Sequence, residues 1–203
     1  EPYGTWAKSH DLTPLYEYFR DLLKMLQWRH TGDQWALKAP AHMWAIDVIN
    51  KVFPDARFIW CHRKPIHVVQ SISSMNELVM DMYMGNTDHI DKHAMADTVM
   101  AWYADSLEQG LAEREKLDPV RFLDCSQEEF ATQPIELMAR IYKQFNIEMT
   151  NDINAALHTH VVANPKGKHG KHEYDLARFG MTEDKINQRF DFYINDNRWP
   201  LSD

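Results

Sequence analysis

Cysteine, positive charge, linker-type sequence and long apolar runs are all scarce in this chain of 203 residues. Its two cysteines, Cys61 and Cys125, exclude a disulfide-stapled scaffold and fit a reduced, cytoplasmic protein. A net charge of −8 argues against general binding to nucleic acid or to anionic membrane, both of which need distributed positive charge. Any anion site must therefore be local. No apolar stretch approaches the roughly 18 residues of a membrane span, and Glu1-Pro2 does not open a signal peptide. No Pro/Gly/Ser-rich linker interrupts residues 1–203, which predicts a single domain. The start at Glu1, without a methionine, gives the expectation of a piece of a longer polypeptide.

Local patterns predict alternating helices and short strands. Between Asp11 and His30, the residues Leu15, Phe19, Leu22, Leu23 and Leu26 recur at helical spacing. Trp35 to Lys38 reads as a short buried strand closed by Pro40, and Met43 to Phe53 as the next helix. Phe58 to Cys61 is a β-branched and aromatic run that suits a strand covered on both faces. Pro65 then opens a helix running through Ser71 toward Tyr83, and Gly85 breaks it. Further helices are predicted over Asp91 to Leu117, Pro134 to Phe145 and Thr150 to Val162, with a strand from Val120 to Cys125. Few, short, apolar strands alternating with helices define an α/β class, a parallel sheet flanked by helices.

In such a sheet, ligands bind outside the strands' carboxyl ends. At one of those ends the sequence changes abruptly from apolar to basic, as His62-Arg63-Lys64 precede Pro65. A cation between a strand end and a helix start favours an anion. Strand, Arg63, proline and then Ser71 eight positions after the arginine resemble the 3′-phosphate-binding segment of the sulfotransferases that use 3′-phosphoadenosine 5′-phosphosulfate, PAPS. The resemblance implies a helix-rich, P-loop nucleotide-hydrolase-like sulfotransferase fold. It also implies Arg63 and Ser71 as contacts to the 3′-phosphate of PAPS and of its product, adenosine 3′,5′-bisphosphate.

Three other segments carry the same resemblance. Lys38-Ala39-Pro40-Ala41-His42 is similar to the Lys-x-Pro-x-His segment of one branch, implying His42 as the base for an acceptor hydroxyl and Lys38 as its electrostatic partner. A neutral imidazole can take that proton, and a lysine offsets developing negative charge. Asn164 to His172 holds three lysines, two histidines and two glycines without an acid, inside an acidic chain. It resembles the family's basic lid, implying Lys166, Lys168, Lys171 and His172 as nucleotide contacts. Leu123 to Pro134 resembles the turn that approaches adenine, with Gln127 where a tyrosine is common. The family's N-terminal strand-loop-helix, with its Gly-Thr-Thr loop for the 5′-phosphosulfate, has no counterpart. The chain by itself is accordingly not expected to transfer sulfate.

The implied acceptor is a hydroxyl on a small molecule, lipid, polyketide or carbohydrate, with no metal required. The spacing His89/His93 places two imidazoles on one helical face, but no ligand pattern completes a metal set. Two rival readings remain at this level. One is a catalytically silent nucleotide-binding or assembly module. The other is a P-loop kinase-like phosphotransferase, which would need a Walker lysine and Mg²⁺ carboxylates.

Overall fold

The computed structural model describes residues 6, 9–29, 32–86, 88–165, 168 and 175–201. The chain folds as two compact units, one formed by residues 1–56 and 105–119, the other by residues 57–104 and 120–203.

The first unit holds α1 (Thr13–Gln27), a 3-10 turn (Pro40–Trp44) and α2 (Ile46–Val52). Asp11 starts α1 by accepting the Thr13 N–H at 2.8 Å, and Pro14 fits the first turn, where an N–H has no helical partner. Its buried face is Thr13, Tyr16 and Leu23, of which only Leu23 belongs to the stripe the spacing predicts. Leu15, Leu22 and Leu26 are exposed. The bond from the Lys51 ammonium to Thr13 Oγ1 (3.1 Å) and the edge-on Phe19–Phe53 pair turn α1 that way against α2. The predicted strand Trp35–Lys38 is absent. Residues 32–39 are exposed and irregular, since an extended apolar run becomes a strand only when a partner edge takes its N–H and C=O groups.

The second unit is built on two parallel strands, β1 (Phe58–His62) and β2 (Phe122–Ser126), paired from Phe58↔Phe122 to His62↔Ser126. Two helices, α3 (Pro65–Met84) and α4 (Lys92–Arg114), lie between them in sequence, with α4 continuing from Asp105 onward into the first unit. Parallel pairing demands such a crossover. Gly85 ends α3 in the left-handed region (φ 73°), and the Asp91 carboxylate accepts the His93 and Ala94 N–H groups to start α4. After β2 come α5 (Gln127–Thr132), α6 (Pro134–Gln144), α7 (Asn151–Ala163), α8 (Glu183–Arg189) and α9 (Asp191–Ile194). Leu137 and Ile141 of α6, one turn apart, pack with Phe145 against Leu123 and Cys125 of β2.

β1 is covered on one face only. Phe58 and Trp60 are half-buried and His62 fully buried, whereas Ile59 and Cys61 are exposed. The two-residue alternation of a strand thus replaces the predicted double coverage. His93, one of the paired histidines, packs its ring where a Cβ on Gly180 would come within 2.7 Å, and Gly180 itself sits at φ 62°. Among the described residues, no helix is long and apolar enough to cross a membrane.

One buried carboxylate fastens the second unit together. Glu77 of α3 is 9% exposed and accepts both the Lys92 ammonium and the Arg178 guanidinium at 2.6 Å. Burial pushes this carboxyl up, but the hydrogen bonds from Lys92 and Arg178 outweigh it and hold it below the usual glutamate range. A lowered folded-state pKa stabilises the protein above the unfolded-state value and ceases to do so as pH falls through the folded one. Glu77→Gln is therefore expected to cost about 1–2 kcal/mol at neutral pH, between exposed and buried ion pairs. The difference from wild type should shrink on acidification below about pH 4. Urea melts of the two proteins across that range check both expectations.

Candidate active and nucleotide-binding site

The carboxyl end of β1 is held by a network that local sequence does not reveal. His62 has no exposed surface, and its Nε2–H donates to Asp124 of β2 at 2.7 Å. That leaves Nδ1 to accept the Tyr193 hydroxyl of α9, also at 2.7 Å. The imidazole stacks on the indole of Trp199, 5.1 Å between centroids and 12° from parallel. Tyr193, whose hydroxyl burial pushes up in pKa, also accepts the backbone N–H of Arg63. His62 is thus a fixed strut, not one of the basic groups offered at the strand end. Through Tyr193 it is linked to the Arg63 backbone.

Arg63 stands between β1 and the start of α3. Its Nε is buried and has no hydrogen-bond partner among the described residues. A buried guanidinium N–H left unpaired costs free energy, which a bound anion would relieve. The following helix suits the same ligand. Its first turn has no acidic residue, Pro65 opens it, and Lys64 stands at its N-cap. Ser71 is seven positions beyond Lys64, on the same face and about 10 Å along the axis. Ser71 is half-buried there.

Gln127 is the first residue of α5, and its Oε1 accepts the Cys61 thiol at 3.5 Å, two residues before Arg63. The Ser126 side chain caps this helix by accepting the Glu129 N–H. Arg63, Ser71 and Gln127 therefore belong to one unit, at neighbouring strand ends and the helix that follows β1. Lys168 is exposed, and its ammonium binds Ala163 O (2.8 Å) and Asn164 Oδ1 (3.1 Å) at the end of α7. Lys166, Lys171 and His172 lie outside the described residues.

Lys38 and His42 belong to the other unit. Lys38 is exposed in the irregular segment, and His42 sits on the 3-10 turn begun by Pro40. His42 Nδ1 is 2.9 Å from the hydroxyl of Tyr16, so Nε2 is the ring nitrogen left for other chemistry. Burial lowers the His42 pKa, which keeps the imidazole neutral and proton-accepting at physiological pH. Burial, with the charge of Asp47, raises Tyr16 to about 12, so its hydroxyl stays protonated. Tyr16 escapes sequence reasoning because 26 residues separate it from His42. A tyrosine among leucines carries no mark of such a bond.

A family model described as "Sulfotransferase family" matches residues 5–152. The chain belongs to the sulfotransferase family. Its fold is likewise shared with solved members. The crystal structure of sulfotransferase STF9 from Mycobacterium avium aligns with 98% of this chain and 50% of its own, at TM-score 0.88 and 28% identity. STF1 from Mycobacterium tuberculosis H37Rv covers 93% of this chain and 47% of its own, at TM-score 0.79 and 26% identity. Among curated relatives, the omega-hydroxy-beta-dihydromenaquinone-9 sulfotransferases Stf3 of Mycobacterium bovis and Mycobacterium tuberculosis are 29% identical over 114 residues. That alignment spans 55% of this chain and 28% of those proteins.

Proposed function

We propose that this chain carries the 3′-phosphate half of a PAPS site, with the base for sulfuryl transfer to an alcohol. On this reading its two compact units are parts of one sulfotransferase-like domain. The observation that carries it is Arg63, half-buried at a parallel-strand end with a buried, unpaired Nε. Membership of the sulfotransferase family supports a PAPS-type nucleotide as the ligand of that cation.

In the proposed reaction, His42 Nε2 takes the acceptor's hydroxyl proton while Nδ1–H donates to Tyr16. The alkoxide oxygen attacks sulfur, the bond from sulfur to the bridging phosphate oxygen breaks, and adenosine 3′,5′-bisphosphate leaves. Lys38 offsets negative charge developing on the departing side. Arg63 and Ser71 hold the 3′-phosphate, Gln127 reaches the adenine edge, and Lys166, Lys168, Lys171 and His172 form the lid. For Lys168 this requires its ammonium to exchange the α7 carbonyl for phosphate. The acceptor class we carry over is a lipid alcohol, because the names of the Stf3 relatives specify an omega-hydroxy-dihydromenaquinone.

Calorimetry with adenosine 3′,5′-bisphosphate against ADP tests the nucleotide assignment, since only the first ligand has a 3′-phosphate. The expected preference is at least tenfold, about 1.4 kcal/mol. Arg63→Ala should weaken binding of the bisphosphate about 100-fold and that of ADP far less. Equal affinity for both nucleotides in the wild type would remove the 3′-phosphate site. Bisphosphate binding without sulfuryl transfer by the complete polypeptide would favour the silent module.

A further inference from the structure

The two cysteines of the chain are neighbours, although 64 residues apart. Cys61 and Cys125 are register partners on the parallel strands, so their side chains leave the same face of the sheet. Adjacent strands run about 4.8 Å apart, inside the Cα separation of about 4.4–6.8 Å that a disulfide spans. The Cys61 thiol donates to Gln127 Oε1 (3.5 Å) and the Cys125 thiol to Trp60 O (3.7 Å), and neither cysteine is in a disulfide. They differ in access. Cys61 is exposed, whereas Cys125 is 1% exposed against Leu137 and Ile141.

We propose that Cys61 and Cys125 form an oxidation site, in which exposed Cys61 reacts with a peroxide and buried Cys125 resolves the product as an intrachain disulfide. The Cys61 thiolate attacks one peroxide oxygen, the O–O bond breaks, and hydroxide leaves. Sulfur is oxidised to sulfenic acid and the peroxide is reduced. The Cys125 sulfur then attacks the sulfenic sulfur, whose S–O bond breaks, and the departing hydroxyl takes the Cys125 proton as water. Two thiols and one hydrogen peroxide thus give one disulfide and two waters.

The surroundings favour this order of events. Hydrogen bonding from Cys125 lowers the Cys61 thiol to about 7, with Arg63 assisting against burial and Glu129. The same bond, burial and the charges of Cys61 and Glu129 push Cys125 up, with Arg140 opposing them. The charge of Cys61 also acts on Tyr103 of α4 and on Tyr193 of α9, whose hydroxyl bonds His62, and burial holds both phenols protonated. A low-pKa, accessible thiol beside a resolving partner is the arrangement peroxide chemistry selects. Contact between the two makes up for the weaker nucleophile.

The test is covalent and independent of any nucleotide. Reduced protein is treated with one equivalent of hydrogen peroxide, its remaining thiols are alkylated, and the digest is mapped by mass spectrometry. A linked Cys61–Cys125 peptide should account for most of the oxidised protein and should disappear on treatment with dithiothreitol. At pH 7, iodoacetamide should modify Cys61 about fivefold or more faster than an ordinary exposed thiol, which is only a few per cent thiolate there. In Cys125→Ala, Cys61 should stop at the sulfenic acid and be trapped by dimedone. Recovery of Cys61 as free thiol after peroxide, or its appearance only in links between chains, would overturn the proposal. The wild-type map decides this even if Cys125→Ala does not fold.

Discussion

His42→Ala is expected to lower kcat for sulfuryl transfer by the complete polypeptide about 10²- to 10⁴-fold, the usual contribution of a positioned general base. KM for the nucleotide should change little, because the assigned 3′-phosphate contacts lie on Arg63 and Ser71. The pH profile supplies an independent readout. Burial lowers the His42 pKa, so the wild-type rate should fall on acidification only below the ordinary histidine value of about 6.5. In His42→Ala that acid limb should vanish. A variant that kept both the rate and the limb would transfer the base role to another residue. Tyr16→Phe offers a finer probe, since it removes the oxygen at 2.9 Å from Nδ1 while keeping the ring. A smaller fall in kcat at unchanged nucleotide affinity would mark Tyr16 as a positioning residue.

His62→Ala should be the most damaging single change to stability, about 3–5 kcal/mol. It removes a fully buried ring with two 2.7 Å hydrogen bonds and leaves Asp124 and Tyr193 without it. The space beside Trp199 would add a cavity term. A loss of this size is a large part of a typical domain's stability, so the variant is expected to unfold at low denaturant. Asn in place of His62 keeps a donor and an acceptor and should recover part of the loss. A His62→Ala protein that melted within 1 kcal/mol of wild type would show the network to be dispensable.

What the sequence reveals here follows how far each signal reaches along the chain. Pro65 and Pro134 at helix starts, Gly85 after a helix and Thr150 before one are local, and the elements begin and end where those residues require. The apolar runs of β1 and β2 are equally legible, because each found a partner edge. Trp35 to Lys38 carries the same local signal and forms no strand, since pairing is decided elsewhere in the chain. Helical spacing in α1 located the helix but not its rotation, which Tyr16 and Thr13 set through bonds to His42 and Lys51. Resemblance named Arg63 and Ser71 for the 3′-phosphate and Gln127 for the adenine edge, three residues that belong to the same unit. The thiol pair and the strut behind Arg63 were invisible, because residues on different strands meet only after register is fixed.

The strut has a consequence for biosynthesis. His62 and Tyr193 are 131 positions apart, so the phenol that anchors the Arg63 amide emerges from the ribosome long after β1 and α3. A nascent chain arrested short of residue 193 has its strands and lacks their keystone. On the proposed reading, the corner around Arg63 is completed only after residue 193 has been made, and termination before it should leave a collapsed species unable to retain nucleotide.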